Sequence, residues 1–223
     1  MSCVKREKEW GRLEQVVVAK HKVRNYKNKN DNSSNTTSVI TTTPSKDDSR
    51  ISIHRLFMHD DGTVPNNTEY PVLLYPSIFM GTIDEGIQRI TATKAWSPPW
   101  IWQIFTYHHY HSTHWELLLC VDGSAEVQLG GDSGPMVTLA PGAMLLIPPG
   151  FAHKQISATR RFTVLGSYPT NSSRTYRAAA AGDVVVDTLT GVPTEEQRRN
   201  IRNCSVPDTD PILGLDIATL CCE

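Results

Sequence analysis

From Ile51 onward the chain alternates short apolar runs with clusters of turn residues. "WELLLCV", "SAEVQL", "PMVTLA", "AMLLIP" and "RFTVLGSY" have the length and composition of strands. "DGS", "GGDSG", "PG" and "PPGFAHKQ" separate them, and these carry the Gly, Pro and Asp that tight turns demand. Upstream, "YPVLLYPSIF" reads as a further strand held between two prolines. Two segments instead read as helices: "TIDEGIQRITATKAW" before the strand series and "TEEQRRNIRN" after it. No internal repeat is visible. Regular short strands with Gly/Pro turns predict an all-β sandwich or barrel with a few flanking helices.

The first fifty residues differ. Trp10, Leu13, Val16 and Val17 recur at helical spacing, which predicts a short amphipathic helix over about residues 6–20. The following stretch, rich in Asn, Ser, Thr and Lys, holds few large apolar residues and predicts disorder. Its basic residues are interrupted by acids and asparagines, so a solvated tail is expected rather than a nucleic-acid tag. The expected organisation is a tail over 1–50, one barrel domain over 51–216 and a C-terminal tail over 217–223.

Composition narrows the partners. The 223 residues suffice for one domain with a full core, and 39% hydrophobic with 20% charged residues suits a globular chain. A net charge of -1 argues against nucleic acid or an anionic membrane as the main partner. Cys3, Cys120, Cys204, Cys221 and Cys222 form no CxxC pair and are odd in number, which predicts free thiols in a reducing compartment. The N-terminal "MSCVKREKEWGRLEQ" lacks the apolar core of a secretory signal, and no run approaches the ~20 residues of a membrane span. A cytoplasmic location follows as the expectation.

Candidate chemistry concentrates in "YHHYHSTHWE", which holds four of the eight histidines. On a strand, side chains alternate faces, so His109 and His111 point one way while Tyr110 and His108 point the other. "STHW" lets the chain turn, and Glu116 opens the next strand. Later, "PGAMLLIPPGFAHK" makes two turns around a short strand and delivers His153. Within one barrel, His109, His111, Glu116 and His153 can converge. Three neutral imidazoles and a carboxylate suit one divalent first-row metal ion, with positions left open. Iron(II) is the first expectation, while manganese, nickel, copper or zinc fit the same ligands. A buried Glu beside three imidazoles otherwise needs a proton or water and backbone partners. His114 stays open between a turn residue and a proton-transfer group. The aromatics Trp96, Trp100, Trp102, Phe105, Tyr107 and Tyr110 serve as core or dimer surface, or line a pocket for an apolar substrate.

At these residues the chain resembles the cupins. His109-x-His111, four residues, Glu116, six residues, Gly123 is similar to the first cupin motif. Gly142, five residues, Pro148-x-Gly150, two residues, His153 is similar to the second. Two positions depart: Gln103 stands where the first motif has glycine, and Ser157 where the second has asparagine. "FMHDDGTVPNN", "YHHYHST", "AHK", "GSYP" and "VPDTDP" further resemble the small YjlB-like cupins over about residues 54–213. There the segment before the glutamate reads Ala-His-Glu, whereas this chain has His114-Trp115-Glu116, which displaces the extra histidine by one position. The resemblance implies a double-stranded β-helix, or jelly roll, with His109, His111, Glu116 and His153 as metal ligands. Fungal cupins of this type sit beside polyketide synthases and short-chain dehydrogenases, which implies a role in forming salicylaldehyde-type aromatics. The expectation is therefore a metal-dependent oxidoreductase on a small hydrophobic substrate, as a homodimer beside short-chain dehydrogenases. The alternatives are a metal-assisted isomerase or cyclase, with Glu116 or His114 moving a proton, or a non-catalytic ligand-binding cupin.

Overall fold

Short β-rich segments bury enough apolar surface only when two sheets share one interior, and that is the arrangement adopted here. The structure is a computed structural model in which residues 10–19, 50–170, 186–189 and 191–222 are described. In chain order the elements are β1 (Leu13–Ala19), β2 (Arg50–Leu56), β3 (Val72–Tyr75), α1 (Ile83–Ala92), β4 (Trp100–Trp102), β5 (His109–Tyr110) and β6 (Glu116–Asp122). There follow β7 (Ala125–Leu129), β8 (Met136–Leu139), β9 (Met144–Ile147), β10 (His153–Ala158), β11 (Thr163–Ser167), β12 (Asp187–Thr188), α2 (Glu195–Asn203) and α3 (Ile217–Cys222).

The strands form a seven-stranded sheet, ordered β1-β2-β3-β9-β6-β11-β4, and a five-stranded sheet, ordered β12-β5-β10-β7-β8. All ladders between these strands are antiparallel. This is the all-β architecture that the strand-and-turn pattern predicts, in the jelly-roll form that the cupin resemblance implies. The larger sheet is covered on both sides. Leu118, Cys120, Leu145 and Val164 face Val127, Leu129, Val137 and Leu139 across the interior. Leu117, Leu119, Met144, Leu146 and Leu165 belong to a second apolar layer with Ile90 of α1 and Leu220 of α3. The central strands "VLLY" and "MLLI" are thus buried at every position. On the smaller sheet, β7 and β8 alternate buried with accessible positions, because their outer face meets solvent. Burying one such Leu or Val contributes ~1.5–3 kcal/mol.

Both expected helices form, each opened by a capping box. Thr82 pairs reciprocally with Glu85 at the start of α1, and Thr194 with Gln197 at the start of α2.

The ends of the domain differ from expectation. The helix predicted over 6–20 is a strand where it is described: Leu13–Ala19 pairs with Arg50–Leu56 in register from Leu13↔Leu56 to Ala19↔Arg50. A ladder to β2 along its whole length satisfies the backbone groups on one edge, and β-branched valines favour the extended chain. The rest of the predicted tail, 1–9 and 20–49, lies outside the described residues. The expected C-terminal tail is α3, whose Ile217, Leu220 and Cys221 are buried in the outer apolar layer. The domain therefore extends beyond 51–216 at both ends.

Candidate metal centre

Four side chains meet inside the barrel near one end. The ligand atoms of His109, His111, Glu116 and His153 all lie within 4.8 Å of one another, and all four residues are buried. Three strands and a loop deliver them. His109 on β5 pairs directly with His153 on β10. Glu116 opens β6, on the same face as Leu118 and opposite Ile147 of β9. His111 follows β5 by one residue, and its carbonyl accepts a hydrogen bond from Gly150 N at 2.8 Å. Gly150 holds φ near +84°, and a Cβ there would lie 2.6 Å from Ile201 Cδ1, so the turn that precedes His153 requires glycine. The alternation predicted for "HHYH" is found. The rings of His109 and His111 lie 5.8 Å apart, while Tyr110 packs elsewhere and meets Asp187.

The imidazoles are oriented from behind. His109 Nδ1 is 3.2 Å from the Tyr107 carbonyl and His153 Nδ1 is 3.2 Å from the Phe151 carbonyl. A carbonyl can only accept, so both contacts put a proton on Nδ1, and a metal ion would meet Nε2. His153 Nε2 and His111 Nε2 approach Glu116 Oε2 at 3.0 and 3.4 Å. His153 Nε2 and Glu116 Oε2 nevertheless have no hydrogen-bond partner of acceptable geometry. Burial pushes the His109 imidazole down to about 3, reinforced by His153, so it is neutral at pH 7. Burial alone would raise the Glu116 carboxyl, but His111 and His153 outweigh it and hold the group well below the usual carboxylate range. The result is a buried carboxylate crowded by imidazole nitrogens, an arrangement that calls for a cation, either a proton shared with a ring or a metal ion. The donor set fits a divalent first-row metal ion.

Three sets of residues brace the centre. Tyr168, just past β11, donates its hydroxyl to Glu116 Oε1 at 3.1 Å. Burial, with Glu116 beside it, pushes the phenol far above its ordinary range, so it remains a donor. Asp187 accepts from Ser112 N at 2.7 Å and from Gln197 Nε2 at 2.8 Å, tying the loop after His111 to β12 and α2. Asn66 donates to the Gly130 carbonyl and accepts from Ala152 N, and Asn67 donates to the Pro149 carbonyl. The two asparagines that end "FMHDDGTVPNN" thus clamp the turn that carries His153. Tyr168 stood in the sequence only as part of "GSYP", and nothing marked it or Asp187 for this centre, because Glu116 and Ser112 lie 52 and 75 residues away from them.

His114 stands apart from the four. It is buried, its Nδ1 is 2.7 Å from Thr113 Oγ1, and its ring meets the Tyr168 ring at 6.2 Å. Burial, with His111 nearby, pushes it down to about 4. His108, expected to face away from His109, has Nε2 3.2 Å from Asp132 of the smaller sheet's rim.

A cavity of about 260 Å³ reaches the centre from the surface. His109, His111, Glu116 and His153 lie on its wall together with Tyr168, but His114 does not. Trp100, Trp102, Phe105, Ile104, Leu118 and Val186 make the rest mostly apolar. Of the aromatics singled out above, Trp96 and Tyr110 are core, whereas Trp100, Trp102 and Phe105 line this opening. Gln103 lies there too, and Ser157 is exposed beside an irregularity in β10. Neither departure from the motifs touches the four ligand positions.

No family model matches the sequence. The uncharacterized protein YjlB of Bacillus subtilis (strain 168) is 35% identical over 161 residues, which is 71% of this chain and 88% of that protein. Among solved structures, a salicylate 1,2-dioxygenase from Pseudaminobacter salicylatoxidans aligns at 10% identity over 53% of this chain and 26% of that one, with a TM-score of 0.26. The dTDP-6-deoxy-D-glucose-3,5-epimerase RmlC from Legionella pneumophila Philadelphia 1 aligns at 12% identity over 52% and 71%, with a TM-score of 0.31. Likeness at that level carries no functional argument. Among the described residues no helix is long and apolar enough to cross a membrane.

Proposed function

The chain belongs to the YjlB family of small cupins, and on that premise we propose that it is a metal-dependent oxidoreductase of a small hydrophobic substrate, with dioxygen as oxidant. The observation that carries the reading is the convergence of three imidazoles and one carboxylate at the inner end of an apolar cavity. His109, His111 and His153 through Nε2, and Glu116 through Oε2, would hold one divalent ion, iron(II) first. Bound there, such an ion supplies Lewis acidity and, if redox-active, one-electron exchange with dioxygen.

The chain's own residues do the rest. The Tyr107 and Phe151 carbonyls keep His109 and His153 in one tautomer. Trp100, Trp102, Phe105 and Val186 take up an apolar body and strip water from it. Among the described residues the cavity wall carries no lysine or arginine, so an uncharged substrate suits it better than an acid. A polyketide-derived alcohol, aldehyde or ring meets these conditions. The resemblance of the sequence supports a place in secondary metabolism, with a second copy of this chain and short-chain dehydrogenases as partners.

The test begins with elemental analysis of protein purified without a His-tag or chelator. Iron-loaded protein, candidate substrate and oxygen then follow, with oxygen uptake and product mass as readouts. One redox-active ion per chain and a product of changed oxidation state are expected. A product isomeric with its substrate, formed equally under nitrogen and with zinc, would replace this reading with the isomerase or cyclase. An empty site with a ligand held in the cavity would leave a binding protein.

A further inference from the structure

Glu116 presents its two oxygens to different surroundings. Oε2 faces His153 Nε2 at 3.0 Å and His111 Nε2 at 3.4 Å, while Oε1 accepts the Tyr168 hydroxyl at 3.1 Å. A carboxylate beside a cation can bind through one oxygen or both. A hydrogen bond to one oxygen occupies its lone pair and favours the single-oxygen mode.

The Tyr168 hydroxyl cannot easily leave. Ser97 N donates to the Tyr168 carbonyl at 2.8 Å, and Tyr168 N donates to Ser97 Oγ at 3.2 Å. Ser167 Oγ donates to the Ser97 carbonyl at 2.7 Å, and Trp96 bridges to Pro169 just beyond. Tyr168 is 6% exposed, and its ring packs on Trp100 and stands edge-on to His111 at 5.4 Å. Its backbone is thus locked on both sides, and its ring is held between the cavity wall and a ligand.

We propose that Tyr168 is a positioning residue that restricts Glu116 to one-oxygen coordination through Oε2, which keeps a place on the cavity side free for substrate. The inference rests on the metal reading above and adds to it the residue that sets the coordination number. Without the hydroxyl, Oε1 would be released to chelate, and the position meant for substrate would be filled by protein.

Cobalt(II) is the probe, because its visible absorption weakens as coordination number rises. Full-length apo-protein is titrated with Co(II) as wild type and as Tyr168→Phe. Wild type should take up one Co(II) per chain with distinct visible bands. Y168F should bind ~10-fold or more weakly, and its bands should lose intensity as Glu116 chelates. A merely structural role would lower the melting temperature and leave the spectrum of the bound ion unchanged. Y168F with wild-type affinity and bands overturns the inference while the metal reading stands. Wild type that takes up no Co(II) overturns both. Should Y168F fail to fold, 4-fluorophenylalanine at position 168 keeps the ring and most of its bulk but removes the donor, so the same loss of band intensity is expected. A Co(II) spectrum that this replacement leaves unmoved likewise overturns the assignment.

Discussion

The inner face of β6 runs through two environments within five residues. At one end Glu116 meets His111 and His153. Two and four residues on, Leu118 and Cys120 enter a layer of Leu145, Val127, Leu139 and Phe162 from both sheets. Direction and strand are the same; only the neighbours change. At the apolar end, every side chain can gain contact from any well-packed neighbour, so many hydrophobic residues would serve. At the polar end each atom needs one partner of the right kind. The barrel thus gains its stability from one end and stakes that stability on the other, where a buried carboxylate costs several kcal/mol unless it is compensated. The two ends should therefore fail separately.

The sharpest way to break the comparison is at the ligands. His153→Ala should cost metal affinity more than the ~10–100-fold typical of an outer partner, while circular dichroism shows the folded barrel. Full metal content in that variant would sink the ligand assignment. Next comes the apolar end. Leu145 lies between Leu74 and Leu118 in the sheet and is wholly buried. Leu145→Ala should lose ~2–5 kcal/mol in denaturant unfolding and retain its metal per folded chain. A Leu145→Ala protein that unfolds like wild type but loses the ion would mean the ends are coupled.

Acid should distinguish them next. His109 is held down to about 3 and His114 to about 4, both by burial. Their unfolded value is ~6.5, so between these limits the unfolded chain binds protons that the folded one refuses. Stability of the metal-free protein should be complete above pH ~6.5 and fall as pH drops, by up to ~1.4 kcal/mol per unit for each histidine. Urea midpoints measured from pH 7 down to 4.5 report this. A flat profile would mean that neither imidazole is shielded. The smallest effect is expected at the mouth. Trp100 packs directly on Gly166, where a Cβ would come 1.9 Å from the indole. Gly166→Ala should cost ~1 kcal/mol as overpacking and swing the half-exposed indole outward. Acrylamide quenching of tryptophan fluorescence should rise; unchanged quenching would show that the strand shifts instead.

What could be read beforehand divides along the same line. "WELLLCV" and "AMLLIP" announced themselves because strands covered on both faces leave unbroken apolar runs. The convergence of His109, His111, Glu116 and His153 was legible because strand alternation and turn residues fix their places locally. The first strand was misread because Trp10, Leu13, Val16 and Val17 also fit a helical period, and its partner β2 lies beyond thirty intervening residues. Helix α3, with six residues, is too short to show a period. The roles of Tyr168 and Asp187 were hidden for a different reason: each depends on a hydrogen bond to a residue far away in the chain, which leaves no trace in composition or spacing.

The asparagine clamp has a kinetic consequence. Asn67 reaches Pro149 and Asn66 reaches Ala152 across 82 and 86 residues of chain. Contacts that close loops of this length form slowly, because the entropy of closure must be met before the contact rewards it. The turn bearing His153 therefore gains its final shape only after β3 and the smaller sheet have come together. In a refolding experiment, uptake of a coloured ion should lag behind the burial of tryptophan, and the lag should lengthen when Asn67 is replaced by alanine.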